Sequence, residues 1–324
     1  MMFSWKNKRV FITGASGLLG SWLTEALVQK GASVVVLIRD WVPESLLLSS
    51  ETLQHLTVVR GDLIDIAVVE RVLNEYEIDT VFHLGAQTIV QTANRSPLSS
   101  FESNIKGTWV LLEACRHLGT VQRIVIASTD KAYGTQKTLP YTEEMPLLAV
   151  HPYDVSKACA DMIAQAYYAT YNLPLAITRC GNIYGGGDLN FNRIIPGTIR
   201  SLHDHEQPII RSDGTYVRDY IYIKDVIAGY ILLAEHLHRS DVHGQAFNFS
   251  TNNRLSVLAV VERIIKVMGS SLVPDIQNTV SAEILVQYLS SEKAVRLLGW
   301  KAQYSIEEGL QETIAWYMNF FGKK

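Results

Sequence analysis

The chain is poor in the features that mark a secreted, membrane-bound or metal-built protein. Its 324 residues include only three cysteines, Cys115, Cys159 and Cys180. They have no paired spacing, which excludes a disulfide framework and fits a reducing, cytoplasmic compartment. No uninterrupted apolar stretch approaches the ~20 residues of a membrane span. The start, MMFSWKNKRVFITGASGLLG, places positive charges before an apolar run and so faintly mimics a signal peptide. That run is only a strand's length and dissolves into glycines, so a membrane or export role is not expected. A formal charge of −3 leaves no basic excess for a nucleic-acid face. No His/Cys cluster has metal-ligand spacing, so no metal is expected. Repeats and low-complexity segments are absent as well.

What is present is an ordinary globular composition, 48% hydrophobic, long enough for a core with a smaller lobe. Residues 9–13 (RVFIT) read as a buried strand. Gly14-Ala15-Ser16-Gly17-Leu18-Leu19-Gly20 follows, then an amphipathic helix over 19–29 that Gly31 closes. Strand, glycine loop and helix form a site where a pyrophosphate can approach the backbone at the positive end of a helix. Residues 33–38 (SVVVLI) form the second strand. Its end should read the adenosine ribose: a carboxylate suits NAD, and an arginine nearby accommodates the 2′-phosphate of NADP. Ile38 takes the acidic position and Arg39 follows, which favours NADP. Asp40 stands next and leaves NAD open.

Strands are predicted at 57–60, 80–83 and 124–127, with a sixth at 175–179, alternating with helices at 66–76, 99–118 and 154–171. Asn104 interrupts the apolar side of the run at 99–118. This alternation predicts an α/β fold with a Rossmann-like doubly wound parallel sheet. The strand ends carry Gly61-Asp62-Leu63 and Leu84-Gly85-Ala86-Gln87. Past residue 180 the segments shorten and become glycine-rich, with helical patterns at 226–236, 257–268 and 306–320. The expectation is a dinucleotide-binding domain over 1–180 and a smaller mixed lobe over 181–324, the chain re-crossing between them.

The densest chemistry lies at Ser128-Thr129-Asp130-Lys131, just past a strand end, where an open α/β sheet gathers its reactive groups. In the segment YDVSK, Tyr153 and Lys157 are four apart and share one helix face. A lysine ammonium beside a phenol favours the phenolate and makes tyrosine a usable base.

Taken together, TGASGLLG, GDL at Gly61, FHLGAQ at Phe82, STDKAYG at Ser128, YDVSK at Tyr153, RCGNIYGGGD at Arg179 and VRDYIYIKDV at Val217 resemble the extended short-chain dehydrogenase/reductase family. The tail LLGWKAQYSIEEGLQETIAWY is similar too. Within that family the chain looks like the nucleotide-sugar 4,6-dehydratases, mainly through Thr129-Asp130. The resemblance implies that Gly14, Ser16, Gly17, Leu18, Gly20, Arg39, Asp62, Leu63, Leu84 and Ala86 hold the dinucleotide, together with Tyr153 and Lys157. It implies that Tyr153 and Lys157 are the catalytic pair, that Thr129 bonds the sugar hydroxyl, and that Asp130 is the general acid. Gln87, Asn182, Arg193, Arg211 and Arg218 would contact the sugar and its diphosphate.

Most dehydratases of this type carry Asp-Glu after the threonine; here Lys131 stands in the glutamate's place. The CDP-glucose 4,6-dehydratases resemble this chain in their Asp-Lys, whereas the end of the second strand looks like the GDP-mannose enzymes. The nucleotide base therefore stays open among UDP, CDP, GDP and dTDP. The expected partner is a nucleotide hexose or hexosamine. Three other readings stand beside a 4-keto-6-deoxy product: a 5,6-dehydratase giving a 5,6-ene sugar, a 4-epimerase, and a non-enzymatic NADP sensor. The sensor should have lost Tyr153 or Lys157, and both are present. Members of the family commonly pair two helices into a four-helix bundle. A homodimer or higher homo-oligomer is accordingly expected, and a monomer mass by light scattering at micromolar concentration would refute it.

Overall fold

The structure is a computed structural model and describes residues 3–279 and 284–322. Strands β1 (Arg9–Thr13), β2 (Ser33–Ile38), β3 (Thr57–Arg60), β4 (Thr80–His83), β5 (Arg123–Ala127) and β6 (Leu175–Cys180) alternate with helices. The helices are α1 (Leu18–Gln29), α2 (Ile66–Glu75), α3 (Val90–Arg95), α4 (Pro97–Phe101), α5 (Gly107–Leu118) and α6 (Pro152–Tyr171). After them come β7 (Asn182–Tyr184), α7 (Ile194–His203), β8 (Ile209–Ile210), β9 (Val217–Tyr222), α8 (Ile223–His236), β10 (Ala246–Phe249) and β11 (Arg254–Ser256). The chain closes with α9 (Val257–Val267), β12 (Asp275–Ile276), α10 (Glu292–Leu298) and α11 (Ile306–Phe321).

Seven strands form one parallel sheet in the order β10-β6-β5-β4-β1-β2-β3. The doubly wound α/β architecture is thus present. The sequence supplied six of the seven strands. The seventh, β10, comes from residues 246–249 of the irregular half and pairs with β6. Three short strands (β11-β9-β7) and a two-stranded pair (β12-β8) make up the smaller sheets.

Period-2 alternation places strand side chains on both faces, and helices cover both. Val10, Ile12, Val34, Val36 and Ile38 join the core beneath α1 and α8. Phe11, Val35, Leu37, Val59 and Val81 join the opposite core beneath α2 and α5. With every strand end aligned by this burial, the loops after β1, β2, β3, β4 and β5 open on the same edge.

Local signals set the helix ends. Asp65 caps α2 by accepting the N–H groups of Ala67 and Val68. Gly119, at φ 64°, closes α5, and Asn172, also left-handed, closes α6. Ser305 and Glu308 form a reciprocal capping box on α11.

The predicted single helix over 99–118 is divided. A π-helical turn, Glu102–Lys106, joins α4 to α5 and holds the buried Asn104. The extra residue per turn rotates a polar side chain away from an otherwise apolar stripe; such turns cluster at functional sites. On the outer side of α5 and α6, Trp109, Met162 and Tyr171 are exposed. Among the described residues no helix is long and apolar enough to cross a membrane.

Candidate active site

A cavity of about 970 Å³ runs along the carboxyl edge of the sheet and under the smaller lobe. Its wall contains Gly14, Ser16, Gly17, Leu18, Gly20, Arg39, Asp62, Leu63, Leu84, Ala86 and Gln87 from the sheet-edge loops. Thr129, Lys131, Tyr153 and Lys157 line its middle; Asn182, Arg193 and Arg211 line the far end. The predicted residues therefore converge on one cleft, with two exceptions. Asp130 is 3% exposed and Arg218 is 7% exposed, and neither belongs to the wall.

The glycine loop is shaped by two different requirements. A Cβ on Gly20 would lie 2.2 Å from the carbonyl oxygen of Gly14, and one on Gly14 would lie 2.7 Å from the Leu84–Gly85 backbone. These two glycines let strand, loop and helix touch. A Cβ on Gly17 would meet only the Gly14 oxygen, at 3.4 Å, so its remaining surroundings are open cavity. Gly17 caps α1 with no side-chain hydrogen bond, which leaves the first-turn N–H groups free for an anion. This chemistry fits the diphosphate of a dinucleotide. Ser128 also lines the cavity, and its buried Oγ has no partner, as a site waiting for a polar ligand would show.

At the far side of the glycine loop, Arg39 Nε lies 2.7 Å from Asp40 Oδ2, both side chains more than half exposed. Arg60 stacks its guanidinium 4.3 Å from the centroid of the Trp41 ring. The residues after β2 pack back on the loop, where Ser45 Oγ donates to the carbonyl of Ser16 at 2.8 Å.

In the middle of the cleft, Thr129 ends β5's loop and caps a 3₁₀ turn, Asp130–Tyr133, through the N–H of Lys131. Thr129 Oγ1 donates to Asp130 Oδ1 at 3.1 Å. Burial raises the carboxyl of Asp130 above its ordinary range, against the opposing charge of Lys131. Tyr153, one residue into α6, is 8% exposed. Burial pushes its phenol up to about 12, while the charge of Arg193 and a hydrogen bond with Thr129 work the other way. Lys157 follows one turn later. Burial pulls its ammonium down to about 8, with Asp161 opposing. Its Nζ donates to the carbonyl of Ala127, so the ammonium is held at the strand end between sheet and cleft.

Two supporting networks were not read as such from sequence. Asn104 Oδ1 accepts the N–H of Gln87 at 2.6 Å, and its Nδ2 donates to the Gln87 carbonyl at 3.1 Å and to Ser156 Oγ at 2.8 Å. The π turn thus aims one amide at the Gln87 loop and at the helix carrying Tyr153. Its signal was visible as a polar interruption of an apolar stripe. His83 bridges Thr13 Oγ1 and Thr108 Oγ1, each at 2.9 Å, and burial first, then Lys157, lowers it to about 3. It remains neutral behind the cleft. Tyr230, on α8, also lines the cavity and accepts a hydrogen bond from Thr178 Oγ1 at 2.5 Å. It sits in an apolar helix stripe and gave no signal.

At the far end Arg193 Nη1 lies 3.1 Å from Asp188 Oδ2, and Arg211 Nη2 donates to Asn192 Oδ1 at 3.2 Å. The glycine run before Asp188 is a packing device: a Cβ on Gly186 would lie 2.3 Å from the Trp316 ring.

The family model described as GDP-mannose 4,6 dehydratase matches residues 11–313. A trifunctional UDP-glucose 4,6-dehydratase/UDP-4-keto-6-deoxy-D-glucose 3,5-epimerase/UDP-4-keto-L-rhamnose-reductase of Arabidopsis thaliana is 31% identical over 98% of this chain; the chain spans about half of that relative, 48%. CDP-glucose 4,6-dehydratase of Salmonella typhimurium is 29% identical over 97% of this chain and 91% of the relative. Among solved structures, dTDP-glucose 4,6-dehydratase of Bacillus anthracis in complex with NAD superposes with a TM-score of 0.85 at 28% identity, covering 96% of this chain and 97% of that one. The matches include 4-epimerases as well as dehydratases.

Proposed function

The chain belongs to the GDP-mannose 4,6-dehydratase family, and we propose on that premise that it removes water across C5 and C6 of a nucleotide hexose or hexosamine, giving a 4-keto-6-deoxy sugar. The observation that carries this reading is the buried Asp130, its carboxyl raised by burial, hydrogen-bonded to Thr129, which shares the cavity wall with Tyr153 and Lys157. A 4-epimerase needs the tyrosine and lysine but no acid for a departing hydroxyl. The test is NMR of the product formed from a panel of nucleotide hexoses and hexosamines. A 4-keto-6-deoxy sugar is expected; a C4-inverted sugar, or a 5,6-ene, would overturn it.

The residues divide the work by position. Gly14, Gly17 and Gly20, with the open first turn of α1, suit the diphosphate of the dinucleotide; Arg39, Asp62 and Leu63 suit its adenosine half. When bound, a nicotinamide would supply a hydride acceptor for the sugar's C4 and a hydride donor for C6, a proton returning to C5, so that the cofactor would end as it began. Tyr153 takes the proton of the 4-hydroxyl, and Thr129 orients that hydroxyl. A ketone at C4 acidifies the C5 proton. Asp130, protonated, supplies the proton for the departing C6 hydroxyl from behind the wall, where Thr129, its hydrogen-bond partner, faces the cavity. Arg193 and Arg211 suit the substrate diphosphate.

For the cofactor, the reading is NADP over NAD, supported by Ile38 in place of a strand-end carboxylate and by Arg39 in the wall. Asp40 competes with a 2′-phosphate for the same guanidinium. Denatured protein should release NADP on mass spectrometry, because a cofactor restored in each cycle gains nothing by leaving; release of NAD alone would refute the preference.

Lys131 lines the cavity where relatives of the Asp-Glu type carry a carboxylate. It can take the C5 proton only as a neutral amine; as an ammonium it steadies the developing enolate. Under the base role, Lys131→Met loses exchange of the C5 proton with deuterated solvent while a C4 deuterium label still leaves C4. Exchange near the wild-type rate would rule the base role out.

A further inference from the structure

The loop that leads into α7 holds a carboxylate that the reaction above does not use. Asp188 follows the glycine run, lines the far end of the cavity and is 7% exposed. Both of its carboxylate oxygens are engaged. Oδ1 accepts the N–H of Asn190 at 3.0 Å, and Oδ2 accepts from Nη1 of Arg193 at 3.1 Å. The chain between the two residues is folded by its own turns. Asn190 Oδ1 accepts the N–H of Asn192 at 3.2 Å, and the Asn190 carbonyl accepts the N–H of Arg193 at 2.9 Å.

The backbone beneath this carboxylate is fastened from two other elements. The carbonyl of Asp188 accepts the hydroxyl of Tyr317, wholly buried on α11, at 2.6 Å. The carbonyl of Gly186 accepts Nε1 of Trp22, on α1, at 2.8 Å. Arg193 has the opposite character. It is the N-cap of α7, and its side chain is 40% exposed in the cavity wall. A guanidinium carries five N–H donors in a planar fork, so one carboxylate oxygen at Nη1 occupies a single corner of it. If Arg193 swung away, a mostly buried carboxylate oxygen would lose its donor, which is costly. The contact is therefore expected to persist while the other N–H groups meet a ligand.

Resting on the reading that Arg193 meets the substrate diphosphate, we propose that Asp188 is a positioning residue for nucleotide-sugar binding: it holds the Arg193 guanidinium oriented, so that its remaining donors face the diphosphate before the substrate arrives. The knitted turn fixes where the arginine starts, and the carboxylate fixes which way its fork is turned. Affinity is gained because a long, mobile side chain no longer has to be ordered on binding.

The test is a double-mutant cycle read by calorimetric binding, which does not depend on turnover. The probes are UDP-, CDP-, GDP- and dTDP-glucose, and the one that the wild type binds most tightly is carried through the cycle. Asp188→Asn keeps an oxygen for the Asn190 N–H but offers the guanidinium no charge. It should weaken binding about 2- to 10-fold, the usual cost of ordering one long side chain. In the Arg193→Met background the same substitution should change nothing. Equal weakening in both backgrounds marks a merely structural role and overturns the proposal. Unchanged binding in Asp188→Asn also overturns it, as does tighter binding, which would make the carboxylate a competitor of the diphosphate. If Arg193→Met alone leaves affinity at the wild-type level, the assignment of Arg193 to the diphosphate fails instead. Binding of none of the four probes by the wild type would defeat the nucleotide-sugar reading itself. A second measurement needs no Asp188 variant. Nitrogen-15 NMR of the unliganded wild type should resolve two Nη signals for Arg193, assigned by their loss in Arg193→Met. A guanidinium held at Nη1 does not turn freely about its Nε–Cζ bond, and one averaged signal overturns the proposal.

Discussion

Tyr153→Phe should lower turnover by about 10²- to 10⁴-fold, the usual contribution of a positioned acid–base group, while nucleotide-sugar affinity stays close to wild type. The substitution removes one oxygen and keeps the ring in its buried place on α6. The fold loses at most the hydrogen bond with Thr129, about 1 kcal/mol. Oxidation should suffer because Tyr153 is the base this reading assigns to the 4-hydroxyl. Burial raises the phenol to about 12, so at neutral pH it is held protonated and its ionised fraction grows with pH. Burial also lowers Lys157 to about 8, so the ammonium that favours the phenolate is present below that pH and is lost as pH rises through it. Transfer of a C4 deuterium label should accordingly rise with pH and flatten near pH 8. In Tyr153→Phe the slope should vanish along with most of the rate. A variant that keeps a tenth of the wild-type rate, with the same pH slope, would remove Tyr153 from the role of base.

The parts of the molecule legible in its sequence are those where local pattern and global placement agree. Buried parallel strands carry runs such as SVVVLI because both faces need apolar side chains, and helices close on Gly119 or Asn172 because only a left-handed residue fits there. The cleft was legible because chemistry-bearing residues at strand ends fall on one edge of the sheet. β10 escaped notice because AFNF is short and lies among turns, and only its pairing with β6 makes it a strand. The direction of Lys157 is likewise tertiary. Helical spacing puts it on the face of Tyr153, but the carbonyl of Ala127, from another element, decides where its ammonium points. Asp219 reads in sequence as one charge in VRDYIYIKDV. That it is buried behind Gly181 depends on β9 lying beside β7, which no local pattern encodes.

Arg179→Met should cost about 3–5 kcal/mol of stability, because it strands a buried carboxylate. Arg179, at the end of β6, is 2% exposed, and Asp161, on α6, is wholly buried. Their contact is bidentate, Nε to Oδ2 at 2.9 Å and Nη2 to Oδ1 at 3.0 Å, the fork geometry that arginine offers a carboxylate. The guanidinium also donates to the Tyr133 hydroxyl at 2.9 Å and lies 4.8 Å from the centroid of that ring. Tyr133 in turn donates to Asn248 Oδ1 at 2.8 Å, which brings in β10. One side chain thus joins the helix of Tyr153 and Lys157, the turn of Asp130 and two strands of the sheet. The urea midpoint should fall with the slope unchanged. Removing both charges in Arg179→Met/Asp161→Leu should recover much of the loss, since neither charge is then left unpaired. The double variant carries a functional signature as well. Asp161 holds the ammonium of Lys157 up against burial, so without it Lys157 discharges at lower pH. The flattening of the pH profile should then begin below pH 8. A double variant as unstable as Arg179→Met would show that the pair's geometry, rather than the stranded charge, sets the cost. A profile still flattening near pH 8 would show that Asp161 does not govern Lys157.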